Sequence, residues 1–356
     1  MIEALDKIQT DFPVTHELLN LIAEIDEFKG KWTVLQNFSP ERLRALRRVA
    51  TIESVGSSTR IEGVKLTDRE VETLLSNLKE YSFKSRDEEE VAGYAEAMEM
   101  IFESWREMPP TENHIKQLHS VLLKFSGKDA SHRGRYKKLS NNVVAFDAGG
   151  KEIGVVFETA VPFETPIEME RLVDWLNRSA EDKTLHPLLI VAVFTVCFLA
   201  IHPFADGNGR LSRILTTLLL LRFGYEYVPY SSLESVVEDN KDLYYKALRQ
   251  TQKTLREEKR DWGKWTLFFL RSLKKQKDKL SAKLERERIL AQSLSKLSSE
   301  ILGLLKEHAP LSIGEIETLT RANRNTLKVR LRELVRDNFL EQNGRARSTV
   351  YHLKAG

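Results

Sequence analysis

Apolar residues recur at helical spacing through most of the chain, with charged residues filling the positions between them. Residues 41–56, 68–81, 86–105 and 111–125 follow this period and read as amphipathic helices. The last of these stops near Gly127, and further helices are predicted near 167–177, over 233–255 and over 262–273. Residues 188–201 break the pattern: nearly every one is apolar, which predicts a helix buried on all sides. That run is shorter than the roughly 20 residues a bilayer span needs, so it belongs to a core and not to a membrane. Pro203 cannot continue it, so the chain turns near His202 before a second buried helix over 210–223. Residues 274–299 are charged, proline-free and poor in apolar positions, the pattern of a solvated connecting helix.

Two segments have a different texture. Asn141-Asn142-Val143-Val144-Ala145-Phe146 and Ile153-Gly154-Val155-Val156-Phe157 are β-branched and aromatic runs around Asp147-Ala148-Gly149-Gly150, which predicts a hairpin. Pro162 and Pro166 close it before the helix near 167–177. Beyond about residue 298, Ile301-Leu302-Gly303-Leu304-Leu305 opens a helix and Leu311-Ser312-Ile313 reads as a short strand. Helices over 314–319 and 325–338 follow, then two strands over 339–345 and 348–353. In the helix at 325–338, Leu327, Leu331, Leu334 and Val335 share one face, while Asn325, Val329, Arg332 and Arg336 share the opposite one. The fold class is therefore mainly α, a helical bundle with a β-hairpin, followed by a small α+β domain. The expected organisation is a helical region at 1–85, a core at 86–275 with the hairpin at about 141–160, a connecting helix at 276–297 and a terminal module at 298–356.

Composition narrows the class. A chain of 356 residues has length for two or three domains and a sizeable core. The net charge of +3 excludes a strongly basic protein. Cys197 is the one cysteine, so neither a disulfide nor a cysteine-rich zinc site can form within the chain. Residues 1–12 lack the basic-then-apolar pattern of a secretory signal, and a cytoplasmic, membrane-free protein is expected. No Gly-x-x-x-x-Gly-Lys phosphate loop and no His-Glu-x-x-His zinc motif occurs.

The chemistry concentrates in His202-Pro203-Phe204-Ala205-Asp206-Gly207-Asn208-Gly209-Arg210-Leu211-Ser212-Arg213. Gly207 and Gly209 lack a Cβ and can bring successive backbone N–H groups onto one point. With a helix starting at once, this makes an anion site at a helix N-terminus. Arg210 and Arg213, three apart, share one face of that first turn, and guanidinium forks suit phosphate oxygens. Asp206 offers an oxygen ligand of the kind magnesium takes beside phosphates. His202, at the lip of the turn, can accept a proton from a hydroxyl. Together these residues point to phosphoryl or nucleotidyl transfer.

The same residues match the Fic family signature, His-Pro-Phe-x-Asp-Gly-Asn-Gly-Arg-x-x-Arg, at every defined position, and the resemblance extends over about residues 40–275. It implies a protein adenylyltransferase that moves AMP from ATP onto a Ser, Thr or Tyr hydroxyl of a target protein and releases pyrophosphate. On that model His202 is the general base and Phe204 anchors the loop. Asp206 holds magnesium, Gly207, Asn208 and Gly209 form the phosphate hole, and Arg210 and Arg213 bind phosphates. Upstream, Ser58-Thr59-Arg60-Ile61-Glu62-Gly63 resembles the family's inhibitory motif. The resemblance implies that Glu62 pairs with Arg213 and denies it to the γ-phosphate, with Ser58 and Gly63 completing the motif. In some relatives this Glu also positions a water that removes AMP, so the site can run in both directions. The hairpin is similar to the family's flap, whose edge, here Phe157, Glu158, Thr159 and Ala160, docks the target by strand addition. Tyr244, Tyr245 and Gln252 resemble the adenosine-side wall, although relatives often carry Asn at the last position; Asn240 is a neighbouring candidate.

The element order over 298–353 resembles a winged helix-turn-helix, a module often appended to Fic cores. Residues 321–347 carry eight basic side chains (Arg321, Arg324, Lys328, Arg330, Arg332, Arg336, Arg345, Arg347) against Glu333, Asp337 and Glu341. That excess suits a phosphate backbone, and DNA contact, target contact and homodimer assembly all stay open. An alternative class follows: a DNA-binding regulator that uses the Fic lobe as a nucleotide sensor. An intact His202 favours the enzyme, since a sensor needs the anion hole but no base.

Overall fold

The computed structural model describes residues 5, 8, 12, 14–35, 40–78, 82–146, 152–183, 185–257, 259–293, 296–337, 339–344 and 349–354. Two compact units, Met1–Leu280 and Ser281–Gly356, divide it.

The first unit is helical. Its elements are α1 (His16–Leu35), α2 (Pro40–Ile61), α3 (Asp68–Ser76), α4 (Arg86–Ser104), α5 (Glu112–Leu122), β1 (Val143–Phe146), β2 (Glu152–Phe157), α6 (Thr165–Asp182), α7 (Pro187–Ile201), α8 (Asn208–Arg222), α9 (Leu233–Asp239), α10 (Lys241–Thr254) and the larger part of α11 (Gly263–Ser293), whose residues from Ser281 onward fall in the second unit. At its centre α7 is buried from Leu188 to Ile201, as its unbroken apolar sequence requires, and it packs between α6 and α8. Polar ends give the other helices their starts. Thr67 and Glu70 form a capping box on α3, and Ser85 and Thr111 cap α4 and α5 through their hydroxyls. Where α4 meets α5, Gly93 lets the backbones touch, because a Cβ there would collide with Leu122 O. β1 and β2 pair antiparallel as the hairpin pattern predicts, with two register irregularities; the expected turn residues 147–150 lie outside the described residues.

Several boundaries differ from the periodicity. The helix expected over 68–81 ends at Ser76, where the Asn77 N–H closes on Leu74 O; residues 79–81 lie outside the described residues. The single helix expected over 233–255 is two. Asn240 breaks it, its Nδ2 donating to Val236 O at 2.7 Å and its own N–H turning back to Val237 O. Conversely, the helices expected at 262–273 and 274–299 merge into α11, whose interior holds neither Pro nor Gly to interrupt it. The structure adds α1, whose Leu18, Leu21, Ile25, Phe28 and Trp32 lie on one buried stripe.

The second unit contains α12 (Lys296–His308), β3 (Leu311–Ser312), α13 (Ile313–Thr320), α14 (Arg324–Arg336), β4 (Leu340–Asn343) and β5 (Val350–Leu353). Its sheet runs β3-β5-β4 with both pairings antiparallel. Leu327, Leu331 and Leu334 of α14 face an aliphatic core with Ile301, Leu305, Leu311, Ile316 and Leu340, while Asn325, Val329, Arg332 and Arg336 are exposed. Asn338, Arg345, Arg347 and Ser348 lie outside the described residues. Among the described residues no helix is long and apolar enough to cross a membrane.

Candidate active site

The turn between α7 and α8 is held from inside. His202 ends α7 in the left-handed conformation (φ 52°), an uncommon state for a residue with a Cβ and one that clusters at functional sites. Its N–H still closes on Phe198 O, and Pro203 then turns the chain away. The imidazole Nδ1 lies 3.2 Å from Leu199 O, so Nδ1 carries the proton and Nε2 keeps a lone pair. Burial pushes the imidazole down to about 4, so the ring is neutral at neutral pH and its free nitrogen is unprotonated. Phe204 is fully buried, stacked on His119 at 3.9 Å and tilted against Tyr136. Asn208 clasps it twice: its Oδ1 accepts from Phe204 N at 2.9 Å and its Nδ2 donates to Phe204 O at 2.7 Å. His119 Nδ1 accepts from Gly134 N, which leaves Nε2–H to donate to Asp206 O at 3.0 Å.

Gly207 takes φ 78° as the residue before α8, and the first backbone bond of that helix runs from Leu211 N to Gly207 O. The N–H groups of Asn208, Gly209 and Arg210 therefore have no partner within the helix and form the anion site. A carboxylate already lies against it. A Cβ on Gly209 would collide with Glu62 Oε1, and that same oxygen accepts from Arg213 Nη2 at 2.7 Å. Arg213 is also held by Ser58, through Nε to the hydroxyl (2.7 Å) and Nη2 to the carbonyl (3.0 Å). Burial opposes the charge on Arg213, but the Glu62 carboxylate beside it keeps the guanidinium above its ordinary pKa. Its Nη1 is buried with no hydrogen-bond partner among the described residues.

Glu62 reaches this position because α2 ends one residue earlier and Gly63 turns at φ 107°. Arg60 pins that end of the helix: it binds Glu238 through Nε (2.7 Å) and Nη2 (3.0 Å), and Asp68 through Nη1 (2.8 Å).

Asp206 sits in a quartet of charges. Its Oδ1 accepts from Gly207 N at 2.7 Å; its Oδ2 accepts from Arg86 at 2.9 Å and from Arg210 at 3.4 Å. Glu90 answers both arginines, at 2.7 Å from Arg86 and 2.8 Å from Arg210. No group of three or more His, Cys, Asp or Glu side chains able to cage a metal occurs among the described residues. Asp206 is one carboxylate facing the start of α8, and magnesium beside phosphates takes one or two carboxylates and keeps its waters, so the residue type fits, although the Asp206 oxygens are held here by Arg86, Arg210 and Gly207 N.

The turn opens onto one cavity of about 520 Å³, whose lining includes neither Arg213 nor Ser58. Glu62, His202, Asp206, Gly207, Asn208, Gly209 and Arg210 line one end, and Tyr244, Tyr245 and Gln252 from α10 line another. Tyr244 is also a packing residue, edge-on to Tyr245 at 5.1 Å and to Trp265 at 5.7 Å. Asn240 lies away from this cavity, spent on ending α9. The expected docking set divides. Phe157 lines the cavity, Glu158 turns to Arg256, and Thr159 and Ala160 are buried and unavailable as a free edge. Thr159 is withdrawn because its N–H bonds Asn142 Oδ1 and its hydroxyl bonds Asn141 Oδ1. Asn208 likewise lines the site with its backbone while its amide holds Phe204. Arg86, Glu90 and Asn141 line the cavity without having been read from the sequence, since no local motif marks them.

Residues 109–220 match the Fic/DOC family. The chain is 32% identical over 185 residues to the protein adenylyltransferase Fic of Drosophila willistoni, covering 51% of this chain and 34% of that protein. It thus spans about a third of the length of the curated relatives it matches. Among solved structures, a Fic family protein from Desulfovibrio desulfuricans G20 superposes with a TM-score of 0.62 at 23% identity, covering 97% of this chain and 98% of that one. A Fic domain-containing signaling protein from Bacteroides thetaiotaomicron VPI-5482 gives 0.54 at 29% identity, covering 75% and 95%. The Fic/DOC match at residues 109–220 encloses the His202 turn.

Proposed function

We propose that this chain transfers AMP from ATP to a hydroxyl side chain of a target protein, and that Glu62 holds the unmodified enzyme in check. The observation that carries this reading is a neutral, outward-facing imidazole on the same cavity as a helix N-terminus that a carboxylate already covers. A phosphate hole alone would serve a sensor; a base prepared beside it serves a transferase.

The step balances as follows. The target oxygen attacks the α-phosphorus, the bond from that phosphorus to the bridging oxygen breaks, and pyrophosphate leaves. His202 Nε2 takes the hydroxyl proton. The N–H groups at the start of α8, with Arg210, bind the phosphate oxygens, and Tyr244, Tyr245 and Gln252 wall the nucleoside side. Asp206 is the residue suited to hold magnesium, whose chemistry there is to neutralise phosphate charge. Glu62 stands where a γ-phosphate would meet Arg213, so ATP binds productively only after that carboxylate moves. The same carboxylate, beside the base, is suited to position a water for the reverse reaction, removal of AMP.

The order of helices and strands in the second unit supports a winged helix-turn-helix reading. Its basic excess is partly neutralised, because Arg324 pairs with Glu317, Arg330 with Glu333 and Arg336 with Asp337. Among the described residues Arg321, Lys328 and Arg332 stand outside these pairs, and the transferase is preferred over the DNA-binding regulator because a sensor needs no base at His202. The test uses the Glu62→Gly variant with α-labelled and γ-labelled ATP in parallel and a cell lysate as target source. Protein label from the α position alone supports adenylyl transfer. Label from the γ position, or from neither despite nucleotide binding, refutes it.

A further inference from the structure

Lys137 lies between α5 and β1, outside any helix or strand, and only 5% of it is exposed. No carboxylate partners it among the described residues. Its ammonium donates instead to three neutral oxygens: Asn141 Oδ1 at 2.7 Å, Thr159 Oγ1 at 2.9 Å and Ile201 O at 3.0 Å. Its backbone N–H adds a fourth link, to Pro203 O at 2.9 Å. A buried ammonium without a counter-ion is unfavourable, and burial pushes its pKa down to about 8. Three acceptors matched to three donors offset part of that cost, and Ile201 O, at the C-terminal end of α7, is where a helix favours a positive charge.

The acceptors come from three separate places. Asn141 precedes β1, Thr159 follows β2, and Ile201 immediately precedes His202. Asn141 carries the connection onward, its Nδ2 donating to Phe204 O at 2.6 Å and to His202 O at 3.2 Å. The carbonyls of Ile201, His202, Pro203 and Phe204 are therefore all held, directly or through Asn141, by this one lysine. A residue needed only to fill space there would be aliphatic. A charged donor that reaches both feet of the hairpin and the backbone around the imidazole does something further.

We propose that Lys137 is the positioning residue for His202, tying the seating of the β1–β2 hairpin to the aim of the base. Its catalytic consequence rests on the adenylyl-transfer reading; its effect on the imidazole does not. The lysine charge also helps hold the His202 ring neutral, against the opposing influence of Glu62 and Asp206.

The experiment places Lys137→Met and Lys137→Arg in the Glu62→Gly chain and measures AMP transfer, ATP affinity, melting and the His202 titration by NMR. Lys137→Met is expected to lower kcat about tenfold or more, the scale of a slightly misaimed catalytic group, with ATP KM within about twofold. The His202 titration should rise above that of the Glu62→Gly parent, while burial, the larger cause, still holds it below the ordinary imidazole range. Lys137→Arg, which keeps the charge and several donors, should restore most of kcat and the low titration. An unmoved titration and unchanged kcat in the Met variant would overturn the proposal. So would a uniform fall of kcat, ATP affinity and melting temperature that Arg fails to rescue. Thr159→Val, near-isosteric and lacking one acceptor, covers the case of a Met variant that does not fold: a loss in kcat of about threefold at constant KM is expected, and no loss overturns the idea. If the Glu62→Gly chain transfers no AMP at all, the adenylyl-transfer reading falls while the titration still decides the role of Lys137.

Discussion

Around the His202 turn, charge and polarity go inside. Arg210, Arg213, Ser58, His119 and Lys137 are all buried there, and each meets a partner on a distant element, while buried Asn208 clasps Phe204 within the turn itself. In the second unit the inside is aliphatic, and the charged side chains stay on the surface in short-range pairs such as Arg330 with Glu333. Burying a polar group is unfavourable unless its partners are in place, so a chain that does it repeatedly in one spot has fixed a specific geometry. Surface charge carries no such penalty and specifies little. The first region can therefore be read for chemistry, the second chiefly for fold.

The sharpest way to break this contrast is His202→Ala. Transfer should fall by about 10²- to 10⁴-fold, the usual contribution of a general base, while calorimetric ATP affinity stays within about twofold. A parallel loss of ATP binding would make His202 structural. In the second unit, Leu331→Ala should lower stability by roughly 2–5 kcal/mol through the cavity it leaves, read as an earlier thermal transition. Equal transfer at low temperature would keep the chemistry in the first unit. Arg213→Ala should destabilise the first unit by roughly 3 kcal/mol, because Glu62 and Ser58 lose their shared donor in a buried place. Its melting temperature decides whether that pairing is structural as well as inhibitory.

pH offers a gentler probe. Burial holds both His119 and His202 down at about 4, so the unfolded chain takes up these protons first. Stability should thus decline as pH falls from about 6.5 toward 4, and transfer by the Glu62→Gly variant should fall about tenfold per pH unit below 4. A transfer profile that already breaks near 6.5 would mean that His202 is solvated. Smallest of all, Arg330→Ala should change melting by less than about 1 kcal/mol, as for most surface pairs. A larger effect would place specific geometry in the second unit too.

What could be read in advance follows the same division. Helix periods exposed most of the bundle, and the run 188–201 announced its core, because burial on every side leaves no polar position. The chemistry of residues 202–213 was legible because base, turn and cations are neighbours in the chain. Glu62 was reachable only through a resemblance, since nothing in Ser58–Gly63 alone separates an inhibitory turn from an ordinary helix end. Lys137, Arg86 and His119 were not legible at all. The partners that tie them to the turn lie 64, 120 and 87 positions away, and the four-residue pairs of Lys137 with Asn141 and of Arg86 with Glu90 do not mark those links. Asn240 was misjudged for a related reason: a period continues through it, and only its side chain, bonded back to Val236 O, ends the helix.

The proposed regulation rests on one carboxylate, Glu62, which lies against Gly209 and binds Arg213. Its direct test is a time course with α-labelled ATP and magnesium on three proteins: the wild type, Glu62→Gly, and Glu62→Gly combined with His202→Ala. The expected result is weak label on the wild type, label at least about tenfold faster on the single variant, and none on the double variant. Equal labelling of wild type and Glu62→Gly, or label that survives without His202, would contradict it.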